Sequence, residues 1–212
     1  MKAVRLHGYF RSTASYRVRI ALNLKGLRYD QLSHHLRKGE QRAPAYLTLN
    51  PQGLVPALEL DDGRVLTQSL AICEYLDEIH PEPALLRTDP ILRAHIRAFA
   101  QLIACDIHPV QNLKILNRLC ALGIGEDRID GWARTAIEEG LAACDVLIAD
   151  KAGRYCFGDA VTLADICLVP QLVNARRFGV DLRWPRLLAI EAACLSLPAF
   201  ADAAPERQED AE

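Results

Sequence analysis

A group of small hydroxyl residues lies directly before a predicted helix. Ser12, Thr13 and Ser15 follow a short apolar strand candidate and precede a segment with helical apolar spacing. A helix N-terminus presents unpaired N–H groups and about half a positive charge, so a hydroxyl beside it can help to hold an anion. If that anion is a thiolate, the arrangement activates sulfur. The alternative is an ordinary N-cap, because Ser and Thr cap helices for stability alone.

Two further segments could hold parts of an extended, peptide-like ligand. A proline opens a predicted strand at the end of Asn50-Pro51-Gln52-Gly53-Leu54-Val55-Pro56. A cis bond there leaves the N–H and C=O of Val55 free to pair with an extended peptide. Gln68-Ser69 precedes an amphipathic segment, which places Ser69 at or near an N-cap, where a carboxylate is favoured. Each segment also has a structural alternative, a strand boundary at Pro56 and an ordinary cap at Ser69.

Composition limits the classes of function. The 212 residues are 50% apolar, enough for one large domain or two small ones, and the net charge of −2 provides no basic field for nucleic acid or anionic lipid. The seven cysteines form no C-x-x-C pair, and the six histidines lack metal-ligand spacing. No apolar run suits a signal sequence or a membrane span. We expect a soluble cytoplasmic protein with reduced cysteines and no metal, nucleic-acid partner or membrane contact.

The first 80 residues alternate between strand and helix signals. Asp61-Asp62-Gly63 between two alternating apolar segments is a strong hairpin signal, and Gly26 is placed as a helix C-cap. The order predicts a compact α/β unit with a mixed four-stranded sheet. The predicted strands cover residues 2–7, 29–36, 55–60 and 64–67, and the predicted helices cover residues 15–25, a patch that ends near Leu49, and 69–79.

The signals after residue 80 are helical. A proline-rich segment begins a predicted linker over residues 81–89. Pro109 is expected to kink one long helix without dividing it. Thr162 and Asp165 fit a capping pattern to which we assign a structural role only, and the acidic tail from Asp202 is expected to be frayed. The pattern predicts a helical bundle with helices over residues 91–122, 126–149, 162–178 and 186–195.

The hydroxyl segment also matches a family motif. It contains Ser12-Thr13-Ala14-Ser15-Tyr16-Arg17-Val18-Arg19-Ile20-Ala21-Leu22. The chain resembles, over nearly its whole length, the zeta class of the glutathione transferase superfamily, whose motif is Ser-Ser-Cys-x-Trp-Arg-Val-Arg-Ile-Ala-Leu. That class includes the maleylacetoacetate and maleylpyruvate isomerases. The resemblance implies a homodimer, with a thioredoxin-like glutathione-binding domain over residues 1–80 and an all-helical substrate-binding domain over residues 90–212.

The resemblance also implies a role for each matching segment. Ser12, with Thr13 beside it, has the catalytic role and donates a hydrogen bond to the glutathione sulfur. Val55 pairs through its backbone with the cysteinyl part, and Gln68-Ser69 binds the γ-glutamyl carboxylate. The implied cofactor-binding residues are Ser12, Gln41, Val55, Pro56, Gln68, Ser69, His108, Gln111 and Asn112, and the implied substrate-binding residues are Arg11, Arg176 and Arg177.

Three of these residues have a structural alternative. A lone helix histidine such as His108 more often packs or caps than binds a ligand. Arg176 would be favourable as a positive charge in a last helical turn. Arg11 is an exposed loop arginine that could equally have no specific role. What favours binding is that a guanidinium can hold a carboxylate through two hydrogen bonds.

The reaction implied by the resemblance is a glutathione-dependent cis-trans isomerisation of maleylpyruvate or maleylacetoacetate. The glutathione thiolate adds to the cis double bond, the resulting single bond rotates, and expulsion of the thiolate gives the trans fumaryl product. The family cysteine is Ala14 here and the family tryptophan is Tyr16, so the reactive sulfur must come from glutathione. Two alternatives stay open, a transferase that conjugates or dehalogenates small electrophiles and a non-catalytic binding protein.

Overall fold

The computed structural model describes residues 4–212. The chain divides into two compact units, of which the first contains the residues up to Leu85 together with Leu195–Glu212 and the second contains Leu86–Cys194. The C-terminal segment therefore groups with the N-terminal residues. Within the described residues, no helix is long and apolar enough to cross a membrane.

The first unit is built on a four-stranded sheet with the order β2-β1-β3-β4. β1 is parallel to β2 and antiparallel to β3, and β4 is antiparallel to β3, which confirms the predicted mixed sheet. The first two residues of the predicted strand 2–7 lie outside the described residues. The elements are β1 (Val4–Gly8), α1 (Thr13–Leu24), β2 (Tyr29–Ser33), α2 (Pro44–Leu49), β3 (Ala57–Glu59), β4 (Val65–Thr67) and α3 (Ser69–Ile79).

The first ten residues of α1, Thr13 to Leu22, are all buried, including two arginines. Arg17 and Arg19 are 1% and 0% exposed. A buried guanidinium is tolerated when its N–H groups have acceptors. Arg17 Nη1 donates to Ser69 Oγ at 3.2 Å, and Arg19 Nε donates to the Ala203 carbonyl at 2.9 Å. The helix that begins at the hydroxyl segment is thus bound to both α3 and the C-terminal segment.

The second unit is helical, but the single helix predicted over residues 91–122 is wrong. That stretch divides into α4 (Pro90–Gln101), a π-helix (Leu102–Ile107), a 3-10 turn (Pro109–Gln111) and α5 (Leu113–Ala121). Pro109 has no N–H with which to continue a helix. Asn112 leaves the helical conformation at φ −76° and ψ 160° and accepts a capping bond from the Ile115 N–H at 3.2 Å. The later helices are α6 (Glu126–Leu147), α7 (Leu163–Arg177) and α8 (Pro185–Leu195).

Two local features fix the helices of the second unit. A Cβ on Gly140 of α6 would lie 2.2 Å from Ile107 Cδ1, so the packing of α6 against the π-helix favours glycine unless the Ile107 side chain moves. The capping box predicted at the start of α7 is confirmed, because Asp165 Oδ2 accepts from the Thr162 N–H at 2.8 Å and the Thr162 side chain accepts in return. Burial raises the pKa of Asp165.

The expectation of a frayed tail from Asp202 is wrong. α9 (Pro198–Ala201) lies beside α1, where Tyr16 Oη donates to the Phe200 carbonyl at 3.2 Å. Asp210 accepts from the Phe10 N–H at 3.0 Å. These partners are 184 and 200 positions away along the chain, which is why the acidic composition of the tail did not reveal them. The helical domain predicted over residues 90–212 therefore includes a segment, Leu195–Glu212, that the structure groups with the first unit.

Candidate active site

Three predicted segments leave the sheet of the first unit at the same edge. The strand register places His7 of β1 opposite Ala57 of β3, and Ala57 opposite Thr67 of β4. His7 is near the end of β1, Ala57 begins β3 and Thr67 ends β4, so the hydroxyl segment, Val55-Pro56 and Gln68-Ser69 all adjoin this edge. α1 and α3 begin here, and their N-termini bring partial positive charge to one region.

Ser12 caps α1 and retains a hydroxyl proton. Its Oγ accepts from the Ser15 N–H at 3.1 Å, and its own N–H donates to the Tyr9 carbonyl at 2.9 Å. The cap uses a lone pair of the oxygen, whereas the O–H proton has no acceptor among residues 4–212. Thr13, the first residue of α1, is buried beside it. A hydroxyl held in this way can donate to an anion in front of the helix.

The loop before β3 presents the backbone of Val55. The Val55-Pro56 bond is cis, and neither the N–H nor the C=O of Val55 pairs with another backbone group in the described chain. Tyr46 Oη and Asn50 Nδ2 both donate to the Leu54 carbonyl, at 2.6 and 2.7 Å. Because the Leu54 C=O and the Val55 N–H belong to one peptide plane, these bonds orient that N–H. Burial raises the pKa of Tyr46 to about 12, so its hydroxyl stays a donor.

Gln68 and Ser69 form the start of α3. Gln68 is the N-cap and has φ 69°, the one positive φ of a non-glycine residue within the described range. Such a conformation costs about 1–3 kcal/mol and concentrates at functional sites. Gln68 Nε2 donates to Gln52 Oε1 at 3.0 Å. Arg17 Nη1 donates to Ser69 Oγ and adds a full charge to the helix N-terminus, which favours a carboxylate there.

Gln41 lies next to the loop that contains Val55. It belongs to a 3-10 turn (Glu40–Arg42), and its Nε2 donates to the Leu36 carbonyl at 3.3 Å. A Cβ on Gly53 would lie 3.2 Å from the Gln41 carbonyl oxygen, so the loop and the turn are in contact. The buried Oε1 of Gln41 has no hydrogen-bond partner within residues 4–212.

Three candidate residues of the second unit lie at the break between the π-helix and α5. Gln111 is 2% exposed, and its Oε1 accepts from Asn174 Nδ2 at 2.9 Å. Its Nε2 is buried with no partner in the part of the chain that the structure describes, and an unpaired buried amide is a candidate ligand contact. Asn112 uses its Oδ1 to cap α5. His108 is half-buried, and its N–H donates to the Ile103 carbonyl at 2.9 Å.

The candidate arginines have different surroundings. Arg176 donates through both terminal nitrogens to the buried carboxylate of Glu191, with Nη1 2.6 Å from Oε1. This pairing raises the pKa of Arg176. Arg177 is exposed in the last turn of α7, and Arg11 of the first unit is half-buried beside Ser12. To bind a substrate carboxylate, Arg176 would have to give up Glu191.

Comparison with known proteins decides the family. The model of the glutathione S-transferase N-terminal domain matches residues 11–79, and that of the C-terminal domain matches residues 82–192. The maleylacetoacetate isomerase of Pseudomonas aeruginosa is 50% identical over 210 residues, 98% of each chain. A maleylpyruvate isomerase solved in its holo form, a bacterial zeta-class glutathione S-transferase, is 48% identical with a TM-score of 0.95, over 98% of this chain and 100% of that one. The chain belongs to the zeta class of glutathione S-transferases.

The features of this zeta-class transferase fit a tripeptide thiol. A solved maleylacetoacetate isomerase from Anaeromyxobacter dehalogenans has glutathione bound in its active site, and it is 46% identical with a TM-score of 0.90, over 99% of this chain and 98% of that one. Here the unpaired backbone groups of Val55 suit an extended peptide, and the α3 N-terminus suits a carboxylate. The Ser12 hydroxyl, at the start of α1, suits a thiolate.

The start of α1 carries no cysteine at the position where the zeta motif has one. Ala14 occupies the position of the cysteine in the zeta motif, in the buried part of α1. Cys73 of α3 is fully buried, and its Sγ lies 3.9 Å from the Arg17 carbonyl. A thiol buried in this way is a poor nucleophile because the charged thiolate is disfavoured there.

Sequence reasoning missed three residues that shape this zeta-class site. Arg17 was part of the matched motif but received no role, although a charge within a largely apolar helix was a signal that it has a buried partner. Asn50 was part of the quoted turn. Tyr46 is eight positions before Leu54 and had no local signal. Only the folded loop shows that Tyr46 and Asn50 share one acceptor.

Proposed function

We propose that this chain is a glutathione-dependent cis-trans isomerase that converts maleylpyruvate or maleylacetoacetate into the fumaryl isomer. The observation that carries the proposal is the shared sheet edge, where the register of His7, Ala57 and Thr67 gathers a hydroxyl donor, a free peptide backbone and a second helix N-terminus. Full-length identity of 50% to a maleylacetoacetate isomerase supports it. Each feature suits a different part of glutathione.

The first unit holds and activates glutathione. Val55 pairs through its N–H and C=O with the cysteinyl backbone, and Gln68-Ser69, backed by Arg17, receives the γ-glutamyl carboxylate at the N-terminus of α3. Ser12 donates a hydrogen bond from its hydroxyl to the sulfur, and the N-terminus of α1 favours the thiolate over the thiol. Thr13, the residue after Ser12, is proposed to help hold this thiolate. Gln41, and Gln111 with His108 and Asn112 in the second unit, are further proposed contacts.

The arginines orient the substrate. Glutathione, when bound, would supply a thiolate nucleophile for reversible addition to the cis double bond. Arg177, with Arg11 as a second candidate, holds a substrate carboxylate and stabilises negative charge that develops in the conjugated carbonyl system. Arg176 contributes less to binding the substrate carboxylate, because its guanidinium is paired with Glu191.

The decisive experiment follows many turnovers at limiting glutathione. Purified protein is given maleylpyruvate, and separately maleylacetoacetate, in large excess over glutathione, while the fumaryl product and free thiol are both measured. An isomerase forms product far beyond the amount of glutathione and leaves the thiol concentration unchanged. Consumption of one thiol per product would indicate a conjugating transferase instead. Failure to bind glutathione at millimolar concentration would indicate a non-catalytic binding protein. The acid that is isomerised at the higher rate is the preferred substrate.

We also propose that the protein is a cytoplasmic homodimer. All seven cysteines are free thiols, and five of them are buried, which suits a reducing compartment. The homodimer rests on the resemblance to the zeta class. Light scattering tests it, since a dimer has about twice the chain mass of 23.5 kDa.

A further inference from the structure

Phe10, two residues before Ser12, is held through both of its backbone groups. Its N–H donates to Asp210 Oδ2 at 3.0 Å, and its carbonyl accepts from Arg19 Nη2 at 3.1 Å. Arg19 is fully buried, and its Nε donates to the Ala203 carbonyl. The backbone just before the hydroxyl segment is therefore fixed by a helix arginine on one side and by the C-terminal segment on the other.

Asp210 joins β2 to this backbone, which follows β1. Its Oδ2 also accepts from Ser33 Oγ at 2.5 Å, and its Oδ1 accepts from Gln31 Nε2 at 3.0 Å. Gly8 and Ser33 are register partners at the ends of the parallel strands β1 and β2. Both carboxylate oxygens are thus used. Hydrogen bonds to an ionised acceptor are about twice as strong as neutral ones.

The position of Ser12 depends on this anchored backbone. The Ser12 N–H donates to the Tyr9 carbonyl at 2.9 Å, which closes a turn that contains Phe10. We propose that Asp210 is a positioning residue, which fixes Phe10 and through this turn holds the Ser12 hydroxyl in front of α1. Its catalytic consequence rests on the proposed function. A displacement of about 1 Å at a reacting group can lower a rate by about a hundredfold.

Loss of the Asp210 carboxylate should affect activation of the glutathione sulfur more than the binding of glutathione. The Val55 backbone, Gln68 and Ser69 make no contact with Asp210 among the hydrogen bonds of the described residues. Glutathione affinity should therefore stay near wild type in Asp210→Ala, whereas the thiol that Ser12 stabilises should become less acidic. A loss of overall stability would instead weaken binding and turnover together.

The test compares Asp210→Ala with Glu209→Ala. Glu209 is exposed, carries the same charge on the same segment, and makes no side-chain hydrogen bond within residues 4–212. Amide hydrogen exchange of Phe10 and Ser12 is measured without ligand. The pKa of the bound glutathione thiol is measured from thiolate absorbance, and kcat and KM for glutathione are measured with the preferred acid.

In Asp210→Ala we expect the amides of both Phe10 and Ser12 to exchange at least about tenfold faster, because a charge-assisted hydrogen bond is lost. We also expect a higher thiol pKa and a kcat about tenfold lower, with KM for glutathione changed less than about threefold. Asp210→Asn, which keeps one acceptor oxygen, should lie between Asp210→Ala and wild type. Glu209→Ala should match wild type.

Faster exchange at Phe10 alone, with Ser12 unchanged, would overturn the proposal, and so would equal effects of Asp210→Ala and Glu209→Ala. A wild-type protein without isomerase activity would contradict the proposed function. The exchange rates at Phe10 and Ser12 would still decide whether Asp210 positions the turn, so the two failures are distinguishable.

Discussion

Ser12 caps α1, and the proposed function gives its hydroxyl a second role as a donor to the glutathione sulfur; the sequence presents these two roles as alternatives. As an N-cap it accepts from the Ser15 N–H, and this bond directs a lone pair into the helix. The same bond fixes the orientation of the hydroxyl, whose proton stays available to a thiolate. Capping therefore does not compete with sulfur activation, because it preorganises the donor.

Ser12→Ala should lower turnover much more than it lowers stability, and this difference separates the catalytic role of Ser12 from its role as a cap. We expect kcat to fall about 100-fold or more, as for the loss of an oxyanion-hole donor, while the lost cap lowers the free energy of unfolding by only about 1 kcal/mol. Ser12→Thr keeps a hydroxyl donor and a cap and is the matched control. Steady-state kinetics and chemical denaturation measure the two effects. A Ser12→Ala protein with wild-type kcat would remove Ser12 from the mechanism.

The adjacent arginines at the end of α7 should respond in opposite ways. Arg176→Ala leaves the buried Glu191 carboxylate without its partner, and because the Arg176 side chain is 47% exposed we expect a modest loss of about 1–2 kcal/mol in unfolding free energy. Arg177→Ala should raise KM for the acid about tenfold or more, because the substrate carboxylate loses its guanidinium. Denaturation and kinetics on both variants check this. The reverse pattern would assign the substrate carboxylate to Arg176.

At the scale of elements, the loop between α2 and β3 acts as one unit. Tyr46 ends no strand and begins no helix, yet it and Asn50 converge on the Leu54 carbonyl. Two donors on one carbonyl polarise its peptide group, so the Val55 N–H on the same plane becomes a stronger donor. If Val55 pairs with glutathione as proposed, α2 contributes to that binding through Tyr46, which orients the Leu54-Val55 peptide group.

Tyr46→Phe should weaken glutathione binding without loss of turnover at saturation. One donor is removed while Asn50 remains, so we expect KM for glutathione to rise about fivefold, in line with the loss of one hydrogen bond, and kcat to change less than about twofold. Tyr75→Phe is the control, because the Tyr75 hydroxyl makes no hydrogen bond within the described chain. Equal KM values for Tyr46→Phe and Tyr75→Phe would contradict the prediction.

Local signals predicted most elements, and non-local pairings explain the failures. The hairpin at Asp62-Gly63 and the capping box at Thr162 depend on neighbours in sequence, and both are present. The helix over residues 91–122 failed because apolar periodicity continued across Pro109, whereas Asn112 supplied a new cap. Periodicity alone cannot show where a helix is interrupted when apolar residues recur at helical spacing on both sides of the break.

At the scale of the whole molecule, the hydroxyl, cis-proline and Gln-Ser segments were recognisable because each carries a short motif. Their convergence at one sheet edge follows from the strand order β2-β1-β3-β4 and the register of β1, β3 and β4. The docking of the last residues could not be foreseen in the same way. Its partners are single backbone carbonyls and amides of distant residues, such as the Phe10 N–H, and these leave no pattern in composition.

The grouping of the chain into units leads to a paired prediction. Phe200 is fully buried and belongs to the C-terminal segment of the first unit, whereas Phe157 is 5% exposed and packs edge-on to Phe99 in the second. Replacing either phenylalanine by alanine should lower the free energy of unfolding by about 3–5 kcal/mol. Phe200→Ala should speed amide hydrogen exchange mainly in β1 and α1, and Phe157→Ala mainly in α4 and α7. Faster exchange confined to the second unit in Phe200→Ala would instead assign the last residues to the helical domain, as their sequence pattern predicted.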